Sequence, residues 1–155
     1  MSTFRTVTRT LRLSQSAGRR LAARAAREGT TSAALLDRLI REGVDQLDHP
    51  GIIFRGPMND RRAALVAGPE VWEVVARLQE LDGPVERRIE ILSARSSLHQ
   101  GKIKTAIAYA RDHGGEIIER IERNRAAVEV IRRAAPPRRP APDRDHLSLV
   151  TPLRE

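Results

Sequence analysis

The sequence predicts a mainly α-helical protein with one short N-terminal strand, a small central hairpin and a disordered proline-rich tail. Hydrophobic residues make up 40% of the 155 residues but aromatic residues only 3%. A core must therefore be aliphatic and alanine-rich, a composition that favours helices. Apolar residues also recur at spacings of three and four through much of the chain. Residues 134–142 read AAPPRRPAP, which can continue neither a helix nor a sheet.

A strand is predicted over residues 6–13, because polar and apolar side chains alternate there as a pleat requires. One face carries Thr6, Thr8, Thr10 and Arg12, and the other carries Val7, Leu11 and Leu13. Arg9 interrupts the apolar face, so the well-formed part of the strand begins at Thr10.

Two amphipathic helices follow this strand. Ser14 or Ser16 can cap the first helix, since a hydroxyl accepts from the unpaired N–H groups of the first turn. Gly29 ends it, and Thr30, Thr31 and Ser32 begin the second helix. The first apolar stripe contains Ala17, Leu21, Ala22, Ala25 and Ala26, and the second contains Ala34, Leu35, Leu36, Leu39, Ile40 and Val44.

The first segment, residues 1–48, is too small to bury a core alone, and its single strand has two open edges. Both problems are solved if two copies pair their strands antiparallel and interlock their helices. The resulting two-stranded ribbon has a polar face that fits the ~12 Å major groove of DNA. We therefore predict a homodimer or a higher oligomer with an intermolecular ribbon.

Residues 8–14 (TRTLRLS), Leu21, residues 29–36 (GTTSAALL) and Ile40 resemble the ribbon-helix-helix family of bacterial repressors and antitoxins. The resemblance implies a DNA-binding and dimerisation domain. It implies that Thr8, Thr10 and Arg12 read base edges, a role in which Arg12 can grip a guanine through two hydrogen bonds. It also implies that Thr31 and Ser32, with the free N–H groups behind them, hold a phosphate.

The second segment, residues 49–133, is predicted to hold a hairpin followed by helices. Residues 51–54 and 62–67 flank the turn-rich residues 56–60, and Pro69 lies in the first turn of the next helix. Residues 82–84 are predicted to end one helix and begin the next, and Ser96 or Ser97 is predicted to cap a further helix. The last two short helices could form a helix-turn-helix. The face of this motif that would read DNA comprises Gly101, Thr105, Ala108 and Asp112, flanked by Lys102 and Lys104. These side chains would offer little to base edges, which favours a packing module.

Residues 49–52 (HPGI), 62–65 (RAAL), 71–74 (VWEV) and 102–109 (KIKTAIAY) resemble a helical, helix-turn-helix-like module of VapB-type antitoxins from type II toxin–antitoxin systems. By this resemblance, the C-terminal region wraps a PIN-domain ribonuclease, and an arginine enters the acidic, magnesium-binding site of that enzyme. A guanidinium suits this role because it stays charged and forks onto carboxylates.

A long helix is predicted from Glu116 towards Arg133, with a stripe that either packs on its own domain or faces a partner. The third segment, residues 134–155, is predicted to be a Pro/Arg-rich tail that is either simply disordered or orders on a partner. The candidate toxin-binding residues are Ile117, Ile121, Val128, Ile131, Arg132, Arg133, Arg138 and Arg139.

The charge distribution favours an anionic partner. There are 28 Lys and Arg against 20 Asp and Glu, a net charge of +8, and residues 1–27 hold seven arginines and no acid. The chain has no cysteine, which suits the cytoplasm, and it has no apolar run of the ~20 residues that a membrane span needs. The four histidines lack metal-ligand spacing. We expect no cofactor, no metal and no enzymatic activity.

Together these features predict a cytoplasmic antitoxin that binds double-stranded operator DNA as a dimer and represses its own operon. It would neutralise a cognate PIN-type ribonuclease toxin through its C-terminal region. The alternative is a stand-alone transcriptional repressor or plasmid-maintenance DNA-binding protein with no toxin partner.

Overall fold

The computed structural model describes residues 10–134, which form six α-helices and one two-stranded antiparallel sheet. The prediction of a mainly helical protein with a small central hairpin is confirmed. The elements in order are α1 (Gln15–Glu28), α2 (Ser32–Asp48), β1 (Ile52–Arg55), β2 (Arg62–Leu65), α3 (Val71–Gln79), α4 (Val85–Arg95), α5 (Gln100–Asp112) and α6 (Gly114–Ala134). No helix in the described range is long and apolar enough to cross a membrane.

The boundaries of α1 and α2 follow from local capping. The Ser14 hydroxyl accepts a hydrogen bond from the Ala17 N–H at 3.2 Å, so Ser14 rather than Ser16 caps α1. Gly29 ends the helix with a φ of 65°, in the left-handed region that glycine enters without strain. The Thr31 hydroxyl then accepts from the Ala34 N–H at 3.1 Å and caps α2.

Of the strand predicted over residues 6–13, residues 6–9 lie outside the described residues. Residues 10–14 form no strand within the single chain, and Ser14 has an extended backbone conformation. A strand that pairs only with a second copy has no ladder to form inside one chain, because its hydrogen-bond partners belong to the other copy.

The core lies between the hairpin and the helices that follow it. The hairpin register pairs Ile52 with Leu65 and Phe54 with Ala63. Ala63, Leu65 and Ile52 are buried, and so are apolar residues of α3 to α6. The core residues are Ile52, Ala63, Leu65, Val71, Val74, Leu78, Ile89, Leu92, Leu98, Ile103, Ala106, Tyr109, Ile117 and Ile121.

Two predicted helix starts are corrected. Pro69 precedes α3 rather than lying in its first turn, because Glu70 and Glu73 form a reciprocal capping box at the start of the helix. Neither Ser96 nor Ser97 caps α5, because His99 does so: its Nδ1 accepts from the Gly101 N–H at 3.1 Å. The Ser96 hydroxyl instead donates to the Leu92 carbonyl at the end of α4.

The first segment and the second segment as far as Ile121 belong to one compact unit. The predicted boundary at residue 48 coincides with the end of α2, but α2 is tied to the hairpin. The Arg61 guanidinium donates two hydrogen bonds of 2.7 Å to the Glu42 carboxylate. The unit ends at Ile121 and a second unit begins at Glu122, so that boundary falls inside α6.

Candidate nucleic-acid interface

The helices α1 and α2 leave much of their apolar surface uncovered within one chain. Ala25 and Leu35 are buried where the helices contact each other. Leu47 near the end of α2 is 80% exposed, and five further apolar side chains of this region are 47% to 60% exposed. They are Leu11, Leu13, Leu39, Ile40 and Val44.

Two of these side chains, Leu13 and Leu39, line a groove of about 520 Å³. Leu13 lines it from the segment before α1, Leu21 lines it from α1, and Leu36 and Leu39 line it from α2. The same groove is flanked by arginines of α1, namely Arg20, Arg24 and Arg27. The apolar groove is suited to contact with another apolar element. The arginines at its edge are suited to contact with a polyanion.

The arginines at this end of the chain divide into paired and unpaired groups. Arg24 and Arg38 both bind the Glu28 carboxylate, and these hydrogen bonds lower the pKa of Glu28 below its usual value. Arg12, Arg19, Arg20 and Arg27 are exposed and make no ion pair within residues 10–134. The unpaired set is therefore available to phosphates.

The predicted base readers lie before α1. Thr10 and Arg12 are exposed, whereas Thr8 lies outside the described residues. Because residues 10–14 are not in a ladder of the single chain, the geometry of one copy brings no ribbon face together. A second copy would have to supply the other strand.

The predicted phosphate-binding residues lie at the start of α2. Thr31 is exposed and Ser32 is half-buried. The Thr31 oxygen accepts the Ala34 N–H, which leaves the hydroxyl hydrogen free to donate to an anion. The first turn of α2 holds no acidic residue, so nothing in it competes with a phosphate for the positive end of the helix dipole.

The reading face of the possible helix-turn-helix is occupied by structural contacts. Lys102 Nζ donates to the carbonyls of Val66 and Ala67 at 3.0 and 3.2 Å. The Thr105 hydroxyl donates to the Gly101 carbonyl within the helix, and Asp112 lies 3.2 Å from His49 Nε2. Lys104 alone is an exposed lysine on α5. These contacts favour packing over base reading.

The apolar stripe of α6 is buried in the first half of the helix and exposed in the second. Ile117 and Ile121 are each 3% exposed and belong to the core of their own unit. Their prediction as toxin-contacting residues is therefore corrected, since a partner cannot reach them in this fold. Val128 and Ile131 are 48% and 69% exposed and keep the predicted character of a contact surface.

The candidate toxin-binding arginines lie at and beyond the end of α6. Arg132 and Arg133 are 78% and 79% exposed, at 3.8 and 3.0 Å from the Glu129 carboxylate. Ion pairs that are this exposed are weak, so both guanidinium groups can exchange Glu129 for another carboxylate. Arg138 and Arg139 lie outside the described residues.

The sequence did not indicate a cluster that joins the end of α2 to the end of α5. His113 Nε2 lies 3.3 Å from Asp45 Oδ1, and His49 Nε2 lies 3.2 Å from Asp112 Oδ2. The Tyr109 ring stacks on His113 with the ring centres 4.0 Å apart. The spacing of four between Tyr109 and His113, which places them on one face of a helix, is the signal that could have indicated part of this cluster.

Within residues 10–134, no three His, Asp or Glu side chains are grouped so that they could hold a metal ion. No protein-family model, curated protein or solved structure matches this chain. A function for the molecule therefore rests on its residues and their geometry.

Proposed function

We propose that the chain is an antitoxin that dimerises through its N-terminal segment and binds operator DNA with the ribbon so formed. One observation carries the proposal. An apolar groove is lined by the exposed Leu13 and Leu39, and beside it lie Arg20 and Arg27, which make no ion pair within residues 10–134. A second copy would cover the apolar surface and leave the guanidinium groups facing DNA.

In the dimer, antiparallel pairing of residues 6–13 would place Thr8, Thr10 and Arg12 of both copies on one face. Arg12 would discriminate guanine, and the threonines would contact bases or thymine methyl groups. Thr31 and Ser32 would fix the register of the dimer by holding a phosphate at the start of α2. Autorepression follows if the operator lies upstream of the chain's own gene.

Toxin neutralisation is assigned to the C-terminal region. Val128 and Ile131 of α6 are exposed apolar side chains, and Arg132 and Arg133 follow them immediately. Burial of the apolar pair would supply affinity. A guanidinium from Arg132, Arg133, Arg138 or Arg139 would occupy the acidic site of a PIN-type ribonuclease.

The DNA-binding part is tested with a duplex from the chain's own upstream region. We expect Thr10→Ala with Arg12→Ala to remove sequence preference, and Lys104→Ala, on α5, to leave it unchanged. Affinity of the wild type should fall steeply as salt rises, because bound phosphates release counterions. Binding of the double variant with the full preference of the wild type would contradict the ribbon.

The toxin-binding part is tested by co-expression with the protein encoded next to the chain's gene. We expect the two proteins to co-purify, and a chain that ends at Arg133 to keep DNA binding while inhibiting the nuclease less. If the neighbouring protein is not a nuclease and does not bind, the molecule is a stand-alone repressor. If the shortened chain inhibits fully, the contact surface lies before residue 134.

A further inference from the structure

A small polar cavity lies between α2, the hairpin and the start of α6. Its volume is about 200 Å³, enough for a few water molecules or a small organic ion. Apolar lining comes from Phe54 and Met58, and acidic lining comes from Glu42, Asp45 and Glu116. None of these residues belongs to the proposed DNA or toxin surfaces.

The phenol of Tyr109 reaches this cavity and has no partner there. The residue is fully buried, and its hydroxyl forms no hydrogen bond within residues 10–134. Burial, together with the nearby Glu116, Asp45 and Glu42 carboxylates, raises the pKa of Tyr109, so the hydroxyl stays protonated. A buried hydroxyl without a partner costs stability, which calls for a molecule in the cavity.

Three arginines and three carboxylates line the cavity, but they are not paired only with each other. Each arginine is engaged with a carboxylate: Arg61 with Glu42, Arg38 with Glu28 and Arg41 with Asp37. Asp45 has only His113 beside it, which is uncharged when deprotonated. Glu116 has no hydrogen-bond partner within residues 10–134, and the charges that attract it are those of His113 and Arg120.

We propose that this cavity binds a small organic cation, a free alkylguanidinium or alkylammonium ion. The Glu116 carboxylate would accept its N–H groups, and the phenol oxygen of Tyr109 would accept one more. The alkyl part would contact Phe54 and Met58, and the aromatic face of Phe54 would favour a cation further. Arg38 Nε, which is also buried without a partner, is a donor that a water molecule would satisfy.

The experiment titrates the full-length protein with methylguanidinium chloride and follows backbone amide signals by NMR at constant ionic strength. Methylurea is the matched probe, since it has nearly the same shape and no charge. We expect saturable shifts at His113 and Asn59 with methylguanidinium and none with methylurea. Shifts that do not saturate, or equal shifts with both probes, would mean that the cavity holds water only and would overturn the proposal.

Three variants complete the test. Glu116→Gln removes the charge, Tyr109→Phe removes the hydroxyl without changing the ring, and Glu86→Gln changes an exposed carboxylate on α4 as the control. We expect roughly tenfold or greater weakening for the first two, as the loss of a charged hydrogen bond predicts, and no change for the control. Unchanged binding by Glu116→Gln would overturn the site. Because Thr10 and Arg12 are untouched, DNA binding should persist in all three variants.

Discussion

At the scale of single residues, Glu116 is held in an environment that disfavours its charge. The residue as a whole is exposed, but its carboxyl lines the cavity beside Tyr109. Desolvation there raises the pKa of Glu116 above its usual 4.5, and the nearby Asp45 adds to this shift. The folded state therefore holds the proton more tightly than the unfolded state, so ionisation of this group at higher pH reduces stability.

We expect Glu116→Gln to be more stable than the wild type at pH 7. The two proteins should be equally stable below about pH 4, where the carboxyl is protonated in both the folded and the unfolded protein. The difference in the free energy of unfolding should grow as the pH rises through 4.5 and level off above the raised pKa. Urea denaturation at several pH values measures it. A difference that shrinks as the pH rises would contradict the assignment.

The Arg61–Glu42 pair is the residue-scale contact that ties α2 to the hairpin. The pair is bidentate and partly buried, and Arg61 also donates to the carbonyls of Gly56 and Phe54. Its hydrogen bonds to Glu42 raise the pKa of Arg61. We expect Arg61→Ala to lower the free energy of unfolding by about 1.5–3 kcal/mol, because it leaves the Glu42 carboxylate without its partner.

The matched control for this prediction is Arg41→Ala. Arg41 pairs with Asp37 on the same helix, but both side chains are 70% exposed. An exposed pair of this kind contributes about 0–1 kcal/mol. Equal losses from the two variants, measured by urea denaturation, would show that burial does not decide the strength of these pairs.

At the scale of elements, the cap of α2 serves two purposes that one substitution can separate. Thr31 holds the Ala34 N–H, and by our proposal it also faces a DNA phosphate. Asp and Asn both cap helices well, so Thr31→Asp and Thr31→Asn should each keep the thermal stability of the wild type. Only Asp brings a negative charge to the phosphate.

We therefore expect Thr31→Asp to weaken binding to every duplex, by tenfold or more at low salt, while Thr31→Asn binds as the wild type does. Fluorescence anisotropy with specific and unrelated duplexes measures both. Equal affinities of the Asp and Asn variants would remove α2 from the DNA interface. Thr31→Ala, by contrast, should cost about 1 kcal/mol of stability.

The elements also show which features the sequence could predict. The end of α1 at Gly29 and the start of α2 within residues 30–32 were predicted correctly, because a left-handed glycine and a hydroxyl cap act within a few residues of chain. The cap of α5 was missed, since His99 caps through its ring nitrogen and competes with two serines that usually take this role. The spacing of the apolar residues in α6 could not show which of them are buried and which are exposed, because periodicity identifies one face of a helix but not what covers it. The cluster of Tyr109, His113 and His49 depends on contact between distant segments.

At the scale of the whole molecule, the proposed function depends on the proposed dimer. The apolar side chains of α2, Leu39, Ile40 and Val44, are about half exposed in one chain. A stable fold rarely leaves such a surface in water, and covering it with a second copy would contribute about 25 cal/mol per Å² of apolar area. If it is covered, the thermal midpoint of the protein should rise with its concentration, since dimerisation stabilises the folded state by mass action.

We expect Leu39→Glu to make the protein a monomer and to abolish DNA binding, because a buried carboxylate without a partner would oppose association. Val85→Glu is the control: Val85 is 42% exposed on α4, outside the proposed interface, and its change should leave a dimer. Sedimentation equilibrium gives the mass of each species. A wild type that is monomeric at micromolar concentration, or a Leu39→Glu variant that stays dimeric and binds DNA, would overturn the ribbon and the phosphate contacts with it, because both require two copies of residues 6–13.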